Sequence, residues 1–327
     1  MGGDNAPGEV VAGGLLAVAA DPRLELLLVG READIEQALV GKSRDRVTVV
    51  NATEVVGMDE HPAAAIRTKK DSSLNVGARL VADGKADAFV SAGNSGAIMA
   101  AAIFVIKRLP GLERPAIGTA IPTKTGTALL LDAGANTDVR PEYLAQFALL
   151  GNAYAKQVLG IANPKVGLLS NGEEEGKGNA VTVEAYSLVK ALPLNFVGNV
   201  EGKELFGGRA DVFVTDGFTG NVVLKTMEGV VDFLFSTIKA EVKKTPLGMA
   251  GGLLLKPSLG NIKDKSDWRK VGGAPLLGVN GVCIIAHGRS DAEATKNAVL
   301  RGAESVRAGL VEAMRTAIAA PTPAPTT

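Results

Sequence analysis

Ala210 to Gly229 reads ADVFVTDGFTGNVVLKTMEG, and its hydrophobic period changes in mid-run. Val212, Phe213 and Val214 form a short apolar run of strand-forming residues. From Val222 onward the apolar residues Val223, Met227 and Val230 recur at the spacing of one helical face. The stretch therefore predicts a strand, a turn and a helix. In the turn, Asp216-Gly217-Phe218-Thr219-Gly220-Asn221, two glycines let the backbone approach a ligand with no Cβ in the way. The first amides of the new helix have no partner within it, and the helix dipole is positive there, so the turn suits an oxyanion. Lys225, one helical turn further in, adds a full charge. An ordinary loop capped by Asn221 fits the same residues.

The same grammar recurs on both sides. Upstream, strands are expected at Leu24 to Val29, Val47 to Asn51, Ala88 to Ser91, Ala116 to Ile121, Ala128 to Leu131 and Lys165 to Leu169. Helices are expected at Pro7 to Ala19, Glu32 to Leu39, Leu74 to Asp83, Ala97 to Ile106 and Glu142 to Leu159. This alternation predicts a parallel sheet that binds ligands beyond the carboxyl ends of its strands. Three of the turns are small and polar: Ala92-Gly93-Asn94-Ser95-Gly96, Asp132-Ala133-Gly134-Ala135-Asn136, and Gly172 to Asn179 with Lys177 between two glycines. Ser95 is not a nucleophile elbow, because position 97 is Ala where that motif needs Gly. The Gly172 turn is not a Walker loop either: it is one residue short, has Gly178 in place of the magnesium-binding hydroxyl, and carries three glutamates. Arg67, Lys69 and Lys70 read equally well as helix-end charges or ligands.

Downstream, Lys243 to Pro257 is apolar, broken by glycines and fringed by Lys243, Lys244 and Lys256. Leu247, Leu253, Leu254 and Leu255 there suit an interfacial membrane-docking insertion, and a buried hairpin is the alternative. A glycine-rich loop at Gly272 to Gly278 leads into a strand at Val282 to Ala286. His287 stands at that strand's carboxyl end, where a catalytic and a structural imidazole are both reasonable. A last helix is expected from Asp291 to Ala319, followed by a disordered tail at 320–327.

Composition narrows the function. The 327 residues suffice for a large core, and 35 basic against 35 acidic side chains give no net charge to support wholesale nucleic-acid binding. One cysteine, Cys283, excludes an internal disulfide, and with two histidines no metal site is expected. No apolar run reaches the roughly 18 residues of a membrane span. A cytoplasmic location is the default.

With these turns quoted, the sequence closely resembles the phosphate acyltransferases of bacterial phospholipid synthesis. The resemblance is carried by MGGD at Met1 to Asp4, SAGNSGA at Ser91 to Ala97, ERPA at Glu113 to Ala116, LDAGAN at Leu131 to Asn136, GEEEGKGN at Gly172 to Asn179, TDGFTGNVVLKTMEG at Thr215 to Gly229 and AHG at Ala286 to Gly288. It implies a three-layer α/β/α sandwich with a mostly parallel sheet, related to phosphotransacetylase and isopropylmalate-dehydrogenase-like folds, over a single catalytic domain at 1–319. It also implies acyl transfer from acyl carrier protein to inorganic phosphate without a cofactor, in a homodimer attached peripherally to an anionic membrane surface and working beside the membrane glycerol-3-phosphate acyltransferase. Members of the family carry a strand ahead of the MGGD motif, so a truncated start is expected.

Lys177 is the catalytic residue that the resemblance implies, and Asp216 and His287 are expected catalytic residues that orient groups or relay a proton to the leaving thiolate. Gly93, Asn94, Ser95, Asn136, Gly217, Thr219, Gly220, Asn221 and Lys225 are the expected phosphate and substrate contacts. A decarboxylating dehydrogenase is disfavoured by the lack of a GxGxxG turn and of a clear set of metal-binding aspartates. A non-catalytic anion-binding protein that docks on membranes remains the alternative.

Overall fold

The computed structural model describes residues 1–265 and 267–319; the expected tail at 320–327 lies outside them. The chain opens with α1 (Gly8–Ala20), β1 (Leu26–Gly30), α2 (Glu32–Ala38) and β2 (Val47–Asn51). Then come α3 (Pro62–Thr68), α4 (Ser73–Ala82), β3 (Ala88–Ser91) and α5 (Ser95–Ala101), which runs on into a π-helical turn (Ala102–Ile106). The middle of the chain supplies β4 (Ala116–Thr123), β5 (Gly126–Leu131), α6 (Pro141–Gln157), β6 (Lys165–Ser170), α7 (Ala180–Lys190), β7 (Asn195–Glu201) and β8 (Val212–Val214). The remainder is α8 (Gly217–Val242), α9 (Pro246–Lys265), α10 (Trp268–Val271), β9 (Ala274–Leu277), β10 (Val282–Ile285), α11 (Ala292–Arg307) and α12 (Leu310–Ala319).

Eight strands form the main sheet in the order β3-β10-β9-β4-β5-β8-β6-β7, with helices on both faces. Its central strands are apolar throughout because each face is covered, as expected for buried sheets. Leu129 and Leu131 of β5 join Val212 and Val214 against Leu144, Phe147 and Leu150 of α6, while Leu130 and Phe213 point the other way, towards Val223 and Met227 of α8. At the other end, Phe89 and Cys283 pack towards α4 and α5, and Ile284 packs on Ala298 of α11.

The sheet is mostly parallel, as expected, but its strands do not all run one way. β3 pairs parallel with β10, and β5, β8, β6 and β7 form a second parallel block. Between the blocks, β10-β9, β9-β4 and β4-β5 are all antiparallel. Three reversals make the two blocks run opposite ways, so their carboxyl ends face opposite ends of the ladder. Part of this is local: Lys124 and Thr125 close a β4-β5 hairpin that the alternation of elements did not announce. The rest comes from β9, which lies within the expected Gly272 to Gly278 loop. Gly272, Gly273 and Gly278 all have positive φ, so the glycines bound a short strand rather than forming a loop.

Other elements shift as well. β1 and β2 pair only with each other, and a cavity of about 510 Å³ lies between β1 and β3, lined also by α1, α4 and α11. α7 and β7 occupy a stretch for which no element was predicted. The last helix divides at Gly309, whose φ is +66°. Lys243 to Pro257 is not a buried hairpin, since from Pro246 it belongs to the helix α9. Gly248 and Gly252, one helical turn apart, lie against Val242, where a Cβ would stand 2.6 Å from its carbonyl oxygen and 2.4 Å from its Cγ1 respectively. These glycines let α9 fold back closely on the end of α8.

Candidate active site

The carboxyl ends of β5, β8 and β6 are adjacent, and their loops build the first part of the site. Asp132, fully buried at the end of β5, accepts hydrogen bonds from the amides of Ile117 (2.9 Å), Gly134 (3.2 Å), Ala135 (3.0 Å) and Asn136 (2.7 Å), and from Asn136 Nδ2 (2.9 Å). Burial raises its pKa, while the bonds from Ala135, Ile117 and Asn136 pull the other way. The loop it shapes is the floor for α8: Gly217 donates its amide to the Asn136 carbonyl at 2.6 Å.

α8 begins at Gly217, not at Val222, and its N-cap is Asp216 rather than Asn221. Asp216 Oδ1 accepts from the Thr219 amide at 2.8 Å, and Oδ2 accepts from the Thr219 hydroxyl at 2.7 Å. Amides expected to meet an anion are therefore engaged inside the protein at Gly217 and Thr219, and Gly220 donates to the Asp216 carbonyl. A Cβ on Gly220 would stand 1.9 Å from the Asp132 carbonyl oxygen, and one on Gly217 2.7 Å from that of Asn136. Here the glycines admit the neighbouring loop, whereas the sequence suggested that they admit a ligand. Asn221 is exposed, with its side chain facing Gly134.

Lys177 is exposed in the turn after β6 and has no ion pair among the described residues. Two of its three neighbouring glutamates are tied elsewhere: Glu175 pairs with Lys190 at 3.2 Å and Glu173 with Arg209 at 3.3 Å. The repulsion of an anion that the sequence suggested is thereby reduced. The buried Asn199 of β7, which sequence reasoning missed, donates from Nδ2 to the carbonyls of Glu174 (2.7 Å) and Lys177 (3.3 Å). Its signal, an amide in an otherwise apolar strand, was available in Asn195 to Glu201.

The ends of β3 and β10 build a second cluster. Asp4 donates its amide to the Gly288 carbonyl at 2.9 Å, and a Cβ on the buried Gly93 would lie 3.7 Å from the Met1 carbonyl. Asn94 is used at both ends: Oδ1 caps α5 through the Ala97 amide, and Nδ2 donates to the carbonyls of Gly57, Met58 and Glu60. It fastens the loop after β2, a structural duty that the sequence did not suggest. Ser95 is exposed at the first turn of α5.

His287 accepts the Arg289 amide at Nδ1 (3.1 Å), so its neutral form carries the proton on Nε2. Its pKa is lowered by burial and then by the positive charges of Arg289 and Lys225, with Glu228 and Asp4 opposing. Lys225 pairs with Glu228 at 2.8 Å. α8 therefore joins the clusters: from Gly217 to Lys225 is eight residues, about 12 Å at the helical rise. The structure brings Asn136, Asp216, Gly217, Thr219, Gly220 and Asn221 together beside the Lys177 turn, and sets Lys225 with His287 near Gly93.

Among the described residues no group of three or more His, Cys, Asp or Glu side chains is arranged to hold a metal. Cys283 is core: burial pushes its thiol up to about 12, far from a reactive thiolate.

Residues 1–313 match the family described as "Fatty acid synthesis protein". A phosphate acyltransferase of Pelotomaculum thermopropionicum is 51% identical over 97% of this chain and 93% of its own. One of Desulfitobacterium hafniense is 50% identical over 96% of this chain and 95% of its own. In solved structures the fold is similar to the EutD phosphotransacetylase of Staphylococcus aureus, with a TM-score of 0.61 at 17% identity over 92% of this chain and 91% of that one. A 4-hydroxythreonine-4-phosphate dehydrogenase of Klebsiella pneumoniae follows with a TM-score of 0.52 at 10% identity, covering 91% of this chain and 97% of that one. At such identities these structures bear on the fold alone.

Two outcomes test this geometry. Gly220→Ala, although alanine favours helix, should destabilise the protein by about 1–3 kcal/mol or more, the scale of an overpacked core. Unchanged thermal stability with a raised phosphate KM would restore the ligand-approach reading. For His287, a folded pKa below the unfolded value means that the unfolded chain binds the proton more readily between the two. Stability then rises with pH across that window and is complete above the ordinary histidine value of about 6.5. An NMR titration should place the imidazole midpoint below that value; one at or above it contradicts the assignment.

Proposed function

We propose, from the premise that this chain belongs to the phosphate acyltransferase family and is an acyltransferase, that it moves a fatty acyl group from the thioester of acyl carrier protein onto inorganic phosphate. The product is an acyl phosphate for phospholipid synthesis. The observation that carries this reading is 51% identity across 97% of the chain.

The chemistry asks little of the protein beyond placement and charge. A phosphate oxygen attacks the thioester carbon, the carbonyl electrons move onto oxygen, and collapse of that oxyanion expels the thiolate. No enzyme nucleophile is required, and a thiolate leaves without much help. The site has to hold phosphate at attack distance and oppose the growing negative charge. Lys177 supplies a cation on the β6 turn, and Lys225 supplies another beside His287. Neutral His287 donates from Nε2, and Asp216 fixes the start of α8 so that Lys225 is delivered to that imidazole.

Incubation with palmitoyl-acyl carrier protein and labelled phosphate should carry the label into an extractable acyl phosphate, from which hydroxylamine releases it, only when both substrates are present. A non-catalytic anion-binding protein yields none. Lys177→Ala should lower turnover by about two orders of magnitude or more with the fold intact, the scale of losing one oxyanion-stabilising group. Near-normal turnover would remove Lys177 from the mechanism.

The same proposal places the enzyme peripherally on an anionic membrane surface, as a homodimer that passes its product to the membrane glycerol-3-phosphate acyltransferase. No helix among the described residues is long and apolar enough to cross a membrane. The support is α9, where Leu247 is 84% exposed, Leu254 83% and Leu253 71%, with Lys243, Lys244 and Lys256 nearby. A long-chain acyl phosphate released into water exposes methylenes at roughly 0.8 kcal/mol each, and release at a bilayer avoids this. Lysines near anionic lipid add about 1 kcal/mol apiece, giving reversible, salt-sensitive docking. Phe233 and Leu234, exposed on α8, provide apolar surface for the homodimer.

Replacing Leu253 and Leu254 together with Glu should release the protein from anionic vesicles and leave its dimer, melting temperature and turnover in solution unchanged. Unfolding, or a fall to monomers, would show that the leucines serve structure instead.

A further inference from the structure

β7 carries one residue too many. Val166 pairs with Phe196 and Leu168 with Asn199, so a single residue of β6 faces two of β7, Val197 and Gly198. Gly198 takes up the irregularity with a φ of +84°. Side chains alternate along a strand, so one inserted residue exchanges the faces of everything beyond it. Phe196 packs on the α6 and α7 side and Val197 on the α8 side; without the bulge Asn199 would follow Val197. With it, Val200 takes the α8 side and Asn199 turns to the face on which the β6 turn passes into α7.

Asn199 is only 1% exposed, and there its Nδ2 meets the carbonyls of Glu174 and Lys177. Its Oδ1 is buried with no hydrogen-bond partner, and the Ser170 hydroxyl of β6 is in the same condition. An apolar residue at position 199 would avoid that standing penalty, so the amide is not explained by packing alone. A second restraint acts on the lysine itself. Its stem lies across Gly172, where an added Cβ would stand 2.8 Å from Lys177 Cγ and 3.2 Å from Cδ.

We propose that Asn199, turned inward by the bulge at Gly198, is a positioning residue that clamps the Glu174 to Lys177 backbone and so fixes where the Lys177 ammonium is presented, with Gly172 leaving room for the lysine stem. Bulges next to active sites commonly re-aim a side chain in this manner. The inference rests on the reading of Lys177 as the charge-stabilising group.

The test measures steady-state turnover with palmitoyl-acyl carrier protein and phosphate for Asn199→Leu, Gly172→Ala and Lys177→Ala, and for each of the first two combined with Lys177→Ala. Asn199→Leu and Gly172→Ala should each lower kcat about 10- to 100-fold, as displacement of a catalytic group by around 1 Å does, with both KM values within about twofold of the parent. Neither should lower turnover further when Lys177 is already Ala. Gly172→Ala obliges only a flexible side chain to move, so it keeps the test open should Asn199→Leu fail to fold. If Lys177→Ala is crippled while both variants turn over normally, or if their losses persist undiminished in its background, the clamp is wrong and the reading of Lys177 stands. If Lys177→Ala is itself near normal, that reading falls and the clamp falls with it.

Discussion

A buried carboxylate receiving four backbone amides is the interaction on which the centre of this fold depends. Among the described residues Asp132 has no ion pair, and its charge is met by the donors of Ile117, Gly134, Ala135 and Asn136. Burial disfavours the ionised form, while each of these bonds favours it. The arrangement ties β4 to the loop after β5 through Ile117, and it presents the Asn136 carbonyl to α8. Two glycines then allow α8 to close on that loop with no side chain between them. A hydrophobic contact would not set this position so narrowly, because apolar packing is non-directional and five hydrogen bonds to one carboxylate are not.

Local structure was legible in the sequence to the extent that its causes are local. The strand at Val212 to Val214 and the long helix after it appear as read, because period and glycine placement act within a few residues, but the expected polar turn is the first turn of that helix. The helix begins five residues earlier than its apolar period suggested, since Asp216 supplies a cap and capping is indifferent to hydrophobicity. The mostly parallel sheet was legible, but the reversal of direction across it was not. It depends on which edge β9 joins, and four residues bounded by glycines look the same as a loop until Ala274 and Pro275 are seen beside Ile285 and Ile284. Asn199 was hidden for a related reason: its inward aim follows from a one-residue bulge, a property of pairing between strands and not of β7 alone.

Glycine had one local meaning in the sequence, freedom to approach a ligand, and the structure divides it into several. At Gly217 and Gly220 the neighbour is the Asn136 loop, at Gly248 and Gly252 it is Val242 of the preceding helix, and at Gly172 it is the stem of Lys177. Only the last bears directly on the cation that the proposed reaction uses. The seam at Gly248 and Gly252 has its own consequence: α9 lies against α8 through small residues, so the leucines of α9 are left to face outward. Close packing between the two helices is thus bought with glycines, and the apolar bulk of α9 remains for a lipid or protein surface.

The opposed strand blocks give the site its extent. Were all the turns on one carboxyl edge, as a uniform parallel sheet would place them, Lys177 and His287 would follow strands of the same direction and the long α8 would have no part in joining them. With the blocks reversed, a helix that starts at the Asp132 loop and runs back along the sheet is what carries Lys225 to His287. The distance along α8, about 12 Å over eight helical residues, exceeds a phosphate ion, and the acyl thioester of the proposed reaction is long enough to reach from one cluster to the other. Charge is distributed to match: Lys177 stands exposed with its neighbouring glutamates Glu173 and Glu175 paired elsewhere, while Lys225 is balanced by Glu228. The less compensated cation is therefore on the β6 turn, the end of the site where the proposed reaction gathers its negative charge.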